Sequence, residues 1–462
     1  MAASRRRVAK SWGEMSGMMQ SHRMVLGANS NVCTVNVSRL FVWVKFSDVA
    51  HPYDPPAQMP SPPPERPLGT DKIDWPLRPD LAFLNHGSFG SVPAPLQKAY
   101  DGHRAVLEAD PIEMVGRRCE GLLASVRSRL GHFLGADAAA VGLVTNASSG
   151  VGAVIRSIPL SPGARMVTTT HVYNAVRMAM KHRAFELGGT VEEIELPLQA
   201  THPLHLTPLL EAIGRDAPPG LVIVDHVTSP TAAVLDVATV VAACRERGVP
   251  VLVDGAHAPG MLELNLGELD ADWYTGNLHK WTCTPKGCGF LYASERVRGI
   301  THPETISHNL GQGFDREFAW QGTRDLAAWL TIPDALDFWD SIGADQVREH
   351  NHALCRAGKE LLEEAWGVAP IQSPGRDAMG SMAIVALPES IQGQCATPDA
   401  LMVHLHDVHH VEVPVIEWKG AWHVRISAHV HNRLADYERL AGAVRASLMA
   451  RREQVSSVPA PA

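Results

Sequence analysis

Residues 271–292, ADWYTGNLHKWTCTPKGCGFLY, set His279, Lys280 and Trp281 at the end of an apolar run, with a second lysine six residues further on. A lysine is a nucleophile only when neutral, and partial desolvation at the end of a buried strand lowers its pKa towards that state. Lys280 fits that description. Lys286 lies in TPKGC, where Pro285 and Gly287 mark a turn, so its ammonium is expected in water with an ordinary pKa. Two further features stand at the ends of apolar runs. VGLVTN leads into Ala147, Ser148, Ser149 and Gly150 at the start of a helical pattern, whose exposed N–H groups and hydroxyls make an anion site suited to a phosphate. VPVLVD ends in Asp254. A lysine to hold an aldehyde as an imine, an acid to keep a pyridine nitrogen protonated and a helix dipole for a phosphate are the parts that pyridoxal phosphate chemistry requires.

Each part alone has a plainer reading. An aspartate after a strand is commonly a cap or turn former, and a lone lysine is commonly solvated. GVG at 150–152 resembles part of a dinucleotide fingerprint, but the third glycine is missing and no acid follows about 20 residues on. It is the combination that points to one site.

To bring these residues together, the strand ends must share an edge. From 110 to about 300, Val- and Ile-rich runs alternate with helical patterns: AVGLVTN, ARMVTTT, GLVIVDHVT and VPVLVD each precede or follow one. This is the β-α-β cadence of a parallel sheet covered on both faces, and such sheets bind ligands beyond the carboxyl ends of their strands. The expected fold is therefore α/β, a mainly parallel seven-stranded-type sheet sandwiched by helices, with a smaller α+β C-terminal domain. The boundaries expected are a basic, Pro-rich disordered extension over 1–67, an N-terminal segment near the site over 68–109, the large domain over 110–330, the small domain over 331–450 and a tail over 451–462.

With 462 residues, 45% apolar and 19% charged, the chain can bury large cores. Its net charge of −8 gives no general attraction for nucleic acid or anionic membranes, so a small molecule is the expected partner. Seven cysteines over this length suit a reducing compartment, and the cytoplasm is the expected location. Longer apolar stretches such as VNVSRLFVWVKF are broken by Arg39 and Lys45, which argues against a membrane span. The first 47 residues carry seven Lys or Arg against Glu14 alone, a composition that suits a targeting segment or a start placed too far upstream. SRRRVAK is similar to a twin-arginine signal, but Glu14, His22 and Arg23 interrupt the apolar region that should follow.

From about 80 to 445 the chain resembles the class V aminotransferase fold, the fold-type I pyridoxal phosphate group that includes cysteine desulfurases, and within it isopenicillin N epimerase-like proteins. The ordered motifs are FLNHGSFGSVP, TNASSG, YNAV, DHVTSPTA, VDGAHAPG, TGNLHKW, GTRD and VRIS. The resemblance implies pyridoxal 5'-phosphate held by Lys280, with Asp254 on the ring nitrogen and His257 on the phenolic oxygen. It places Ala147, Ser148, Asn277 and His279 at the phosphate, Thr228 among the cofactor contacts, and Tyr173 stacked on the face opposite the lysine. It implies a homodimer in which Thr323 reaches the neighbouring subunit's phosphate. Arg425 is implied at the substrate α-carboxylate, with Asn85 and His86 exposed to the substrate.

The expected activity is at the α-carbon of an amino acid or short peptide, epimerase-like, with Tyr173 as the acid on the second face. Elimination, as in a carbon–sulfur lyase or cysteine desulfurase, and transamination are the alternatives. A desulfurase needs a loop cysteine over the site, and Cys395 in IQGQCATPDA is the candidate. A reading of another class is metal binding by His404, His406, His409 and His410 in HLHDVHH, although only His406 and His410 have i, i+4 spacing. A catalytically dead relative is disfavoured because Lys280 and Asp254 are both present. Cys244, Cys288 and Cys355 read as core fillers.

Overall fold

The structure, a computed structural model, describes residues 67, 69–198, 205–371, 379–392 and 395–456. The chain divides into units Met1–Tyr53 and Asp54–Ala462, and every described residue belongs to the second. The basic head, most of the proline-rich spacer and the last six residues lie outside the described residues.

Twelve strands are found among the described residues: β1 (Ala82–Phe83), β2 (Val141–Val144), β3 (Arg165–Thr169), β4 (Thr190–Ile194), β5 (Leu221–Asp225), β6 (Val251–Asp254), β7 (Trp273–Asn277), β8 (Gly289–Ala293), β9 (Met382–Ala386), β10 (Val411–Glu412), β11 (Val415–Trp418) and β12 (Ala421–Ser427). Seven form the main sheet in the order β2-β8-β7-β6-β5-β3-β4. Their apolar runs have no polar side because both faces are covered: every residue of β2, β5, β6 and β7 is buried. Side chains such as Leu143, Ile223 and Leu252 are wholly excluded from water, each contributing about 1.5–3 kcal/mol on burial. The expected fold class is the one observed. Only β8 runs against the others, and the cause is local: residues 278–288 return directly from β7 without a crossover helix. That return carries Lys280.

Helix Ala147–Ser157 lies against the sheet so closely that a Cβ on Gly150 would stand 2.1 Å from Thr275 Oγ1. This approach brings the helix start over the end of β7. The second layer system is the antiparallel sheet β11-β12-β9, covered by helices Ala344–Trp366 and Pro398–His409, with helix Leu434–Ser456 packed on those helices and on β1 and β10. Its own core includes Leu354, Leu362, Leu401, Val424 and Tyr437. β11 and β12 are joined by Lys419 and Gly420, both with positive φ (51° and 79°), the two-residue turn whose twist matches a hairpin. That hairpin sets Arg425 on β12. The short strand β1 pairs in parallel with β10, so the segment after it, NHGSFG, is laid between the two sheet systems. No helix among the described residues is long and apolar enough to cross a membrane.

Candidate active site

The carboxyl ends of β2, β3, β5, β6 and β7 open onto one cavity of about 400 Å³. Its wall includes Thr145, Asn146, Ala147 and Ser148 after β2, Tyr173 after β3, and Asp225 and Ser229 from the β5 end. Asp254, Ala256 and His257 follow β6, Asn277, His279 and Lys280 follow β7, and Gly87, Ser88, Phe89 and Arg425 close the far side. The helix start is capped by Asn146, whose side chain accepts from the Ser149 N–H at 3.0 Å. Asn277 Oδ1 accepts from the Ala147 N–H at 2.8 Å, which ties β7 to that helix.

Lys280 is 8% exposed, and its ammonium is pushed down to about 7, first by burial and then by the Arg425 cation, against the opposing charges of Asp254 and Asp225. Its Nζ lies 3.3 and 3.1 Å from the two ring nitrogens of His257. No clash-free point in the ring plane is that close to both, so the amine sits over the imidazole face. Burial, reinforced by the Lys280 and Arg425 cations, holds the His257 pKa well below its usual value, keeping the ring neutral. Asp254 Oδ1 accepts from the Ala256 N–H at 2.9 Å, and burial raises its carboxyl. In register beside it on β5 is Asp225, raised well above the carboxylate range by burial and then by the charge of Asp254. Two carboxyls so close and so dry disfavour double ionisation.

Arg425, 4% exposed, is held on two sides. One terminal nitrogen donates to the Ser229 carbonyl at 2.7 Å and to its hydroxyl at 3.1 Å, and the other donates to Ser88 Oγ at 2.7 Å. Burial pushes its pKa down to about 10, so it stays a cation at neutral pH. Its Nε is buried without a partner among the described residues. A side-on fork of Nε and the Ser88-bound nitrogen remains available, the geometry that receives a carboxylate.

The class V aminotransferase family model matches residues 96–454. The isopenicillin N epimerase of Amycolatopsis lactamdurans is 31% identical over 390 residues, covering 80% of this chain and 96% of that protein. The chain belongs to the class V aminotransferase family. Another relative, the L-cysteine desulfhydrase of Arabidopsis thaliana, is 30% identical over 402 residues, with 79% and 87% covered. A solved cysteine desulfurase from Thermococcus onnurineus NA1 shares the fold at a TM-score of 0.70 and 20% identity, covering 84% of this chain and 100% of that one.

Membership in the class V family brings pyridoxal 5'-phosphate as the cofactor, and this cavity fits it. Among its lining residues, Asp225 Oδ2, His279 Nδ1 and Arg425 Nε are buried without a partner, so polar groups of both signs await a ligand that is itself polar at several points. Ser148 and the helix start, with His279, suit the phosphate; Asp254 and Lys280 suit the ring and the aldehyde. Burial holds His279 down to about 4, so it meets a phosphate as a neutral ring unless the anion draws a proton onto it.

Several residues chosen from the sequence stand elsewhere. His86 is wholly buried and Asn85 donates to Glu412 at 2.8 Å; neither lines the cavity, because the chain turns at Gly87 and presents Ser88 and Phe89 instead. Thr228 is also turned away, its hydroxyl bonded to Thr231 at 2.7 Å and to the Ala233 N–H at 2.8 Å. The Ala147 N–H is occupied by Asn277, leaving Ser148 as the open donor of that helix start. Thr323 lines a separate groove with Trp320 and Arg324. Lys286 was expected free in water; its ammonium instead donates to the Gly90 carbonyl at 2.6 Å at the cavity edge, and burial lowers its pKa. The histidines of 404–410 do not gather into one set: His404 and His409 meet edge-on with ring centroids 5.3 Å apart, but His406 pairs with Asp407 and His410 faces Arg78 and Asp80. The one group of three or more metal-capable side chains among the described residues is His86, Cys283 and His429. Cys395 packs against the small-sheet core, and no described cysteine lines the cavity. Cys244, Cys288 and Cys355 are buried.

Sequence reasoning missed Asp225, Ser88 and Ser229. Asp225 carried a usable signal, since VIVD ends on an acid just as VPVLVD does. The serines carried none, because their importance comes only from Arg425.

Proposed function

We propose that this chain is a pyridoxal phosphate enzyme acting at the α-carbon of an amino acid or short peptide, with epimerase-like chemistry. The observation that carries this reading is a neutral-prone lysine sharing a cavity with a buried arginine fork, with Tyr173 on the wall and no described cysteine there.

When bound, the cofactor supplies a cationic ring that takes up the electron pair left as Cα loses its proton. The chain's own groups do the rest. Arg425, steadied by Ser88 and Ser229, binds the α-carboxylate and fixes which bond at Cα faces the ring. Lys280 Nζ, about half neutral at pH 7, accepts the α-proton. Asp254 keeps the ring nitrogen protonated, and Tyr173, 44% exposed at the cavity, delivers a proton to the opposite face through its hydroxyl. Tyr173→Phe should therefore abolish inversion while retaining deuterium exchange at Cα.

L-cysteine desulfhydrase activity is the second reading, favoured by the relatives of that name at about the same identity. It needs the same proton removal, then loss of sulfide from Cβ, and no protein thiol. That no described cysteine lines the cavity weighs only against a desulfurase, which needs one. A homodimer is part of the proposal: Thr323 lies off its own cavity, which is compatible with its serving the site of a second copy. Unpaired buried thiols suit the proposed cytoplasmic location. Proton NMR of the loaded protein with a panel of amino acids in deuterated water decides among these. Deuterium at Cα with the opposite configuration supports the epimerase; sulfide with pyruvate, or keto acid alone, moves the assignment to the lyase or aminotransferase.

A further inference from the structure

Directly behind the Lys280 turn lies a buried cluster that the proposed reaction does not use. His86, Cys283 and His429 are all buried, and His86 stacks on His429 with ring centroids 4.4 Å apart. Trp75 and Trp339 close on His429 edge-on at 5.2 and 5.3 Å. The hydrogen bonds assign the protons. His86 Nε2 is 3.1 Å from the Lys280 carbonyl, which only accepts, so Nε2 carries the hydrogen and Nδ1 accepts from His431 Nε2 at 3.2 Å. His429 Nδ1 accepts from the Val430 N–H at 3.0 Å, so its hydrogen is also on Nε2. Both Nε2 atoms face Cys283 Sγ, at 3.6 and 3.5 Å, and the thiol faces the Trp281 carbonyl at 3.9 Å.

The Lys280 carbonyl thus receives two donors, His86 and the Cys283 N–H at 2.9 Å, which closes the turn. Cys283 holds φ at 55°, a conformation that residues other than glycine seldom adopt, so this turn needs outside support. The support is tight: a Cβ on Gly90 would lie 2.7 Å from the Lys280 carbonyl and 2.9 Å from His86 Nε2.

We propose that His86 is a positioning residue for Lys280: its Nε2–H pins the Lys280 carbonyl, and with Cys283 and His429 behind it fixes the turn from which the amine projects. The inference rests on the reading of Lys280 as the cofactor lysine. A bound metal would compete for the same atoms, since the three ligand atoms lie within 4.8 Å of one another and nitrogen–sulfur sets favour zinc. A metal needs a lone pair on each Nε2. His429 would have to move its proton to Nδ1, into the Val430 N–H, and His86 would have to release Lys280. The protonated cluster is the arrangement these bonds favour.

Hydrogen exchange of the full-length, cofactor-free protein, read by mass spectrometry, tests this. In His86→Met the peptide spanning residues 278–286 should exchange at least tenfold faster while β5 and β6 exchange as in the parent. The pH midpoint for acylation of Lys280 by acetic anhydride should rise as the amine becomes solvated. His86→Gln, which keeps a donor near the carbonyl, should restore both in large part. His431→Phe, which removes the partner of Nδ1 and is less buried, should give the same changes at smaller size and covers the case in which His86→Met does not fold. Unchanged exchange and midpoint in whichever of these variants fold would overturn the proposal. So would one zinc per chain by elemental analysis, lost in Cys283→Ser. Neither readout needs turnover, so they judge His86 even in an inactive protein; α-proton exchange surviving Lys280→Ala would instead sink the functional reading.

Discussion

The neutral amine of Lys280 can be measured without substrate or cofactor. With a pKa of about 7, the reactive fraction is about one-tenth at pH 6 and about nine-tenths at pH 8. Acylation of Lys280 by acetic anhydride, quantified on its own peptide by mass spectrometry, should therefore rise about tenfold over that range and then level off. A lysine with the ordinary pKa near 10.5 would rise about a hundredfold over the same range and continue climbing. The causes separate by substitution. Arg425→Gln removes the cation that opposes protonation and should move the midpoint up; Asp254→Asn removes an anion that favours it and should move the midpoint down. The linkage sign follows from the same shift. Between about pH 7 and 10.5 the unfolded chain holds a proton that the folded chain has lost, so this group's contribution to stability rises with pH. Its penalty is fully present below pH 7, where Lys280→Met should stabilise the cofactor-free protein most. A hundredfold rise with no plateau by pH 9 would refute the buried-amine reasoning.

Arg425→Lys should raise KM on the order of a hundredfold and lower kcat as well, because a point charge cannot replace the fork between Ser88 and Ser229 that both binds the carboxylate and sets the bond at Cα; an unchanged kcat would mean the arginine binds without orienting. Asp225→Asn should raise the stability of the cofactor-free protein at pH 7 by about 1–3 kcal/mol. The folded carboxyl titrates above its unfolded value, so its penalty is present at neutral pH and vanishes as pH falls below about 4; urea midpoints at pH 7 and 3.5 check the sign. Gly150→Ala should cost about 1–3 kcal/mol in denaturant titrations, since the new methyl would meet both Oγ1 and, at 2.9 Å, the Cβ of Thr275; a cost within 0.5 kcal/mol, roughly that of a neutral surface change, would mean helix and strand are looser than described.

The sequence by itself determined the long apolar strands and the groups at their ends, though not the short β1 or the half-exposed edge strand β4. Runs such as VGLVTN and VPVLVD are local signals, because a strand covered on both faces needs only contiguous apolar residues. Lys280, Asp254 and the helix start after Asn146 could therefore be placed on one edge from the chain alone. The tertiary structure decided what stands between distant segments. His86 and Cys283 are 197 residues apart and Ser88 and Arg425 are 337 apart, and no periodicity links either pair. NHGSFG reads as one motif, yet Asn85 goes to Glu412, His86 to the lysine turn and Ser88 to the arginine, because a glycine on either side of the serine lets the chain pass through gaps too narrow for a Cβ. The same limit explains Lys286: Pro285 and Gly287 announce a turn correctly, but which surface that turn faces is set by packing of the 86–90 segment, not by the residues of the turn itself.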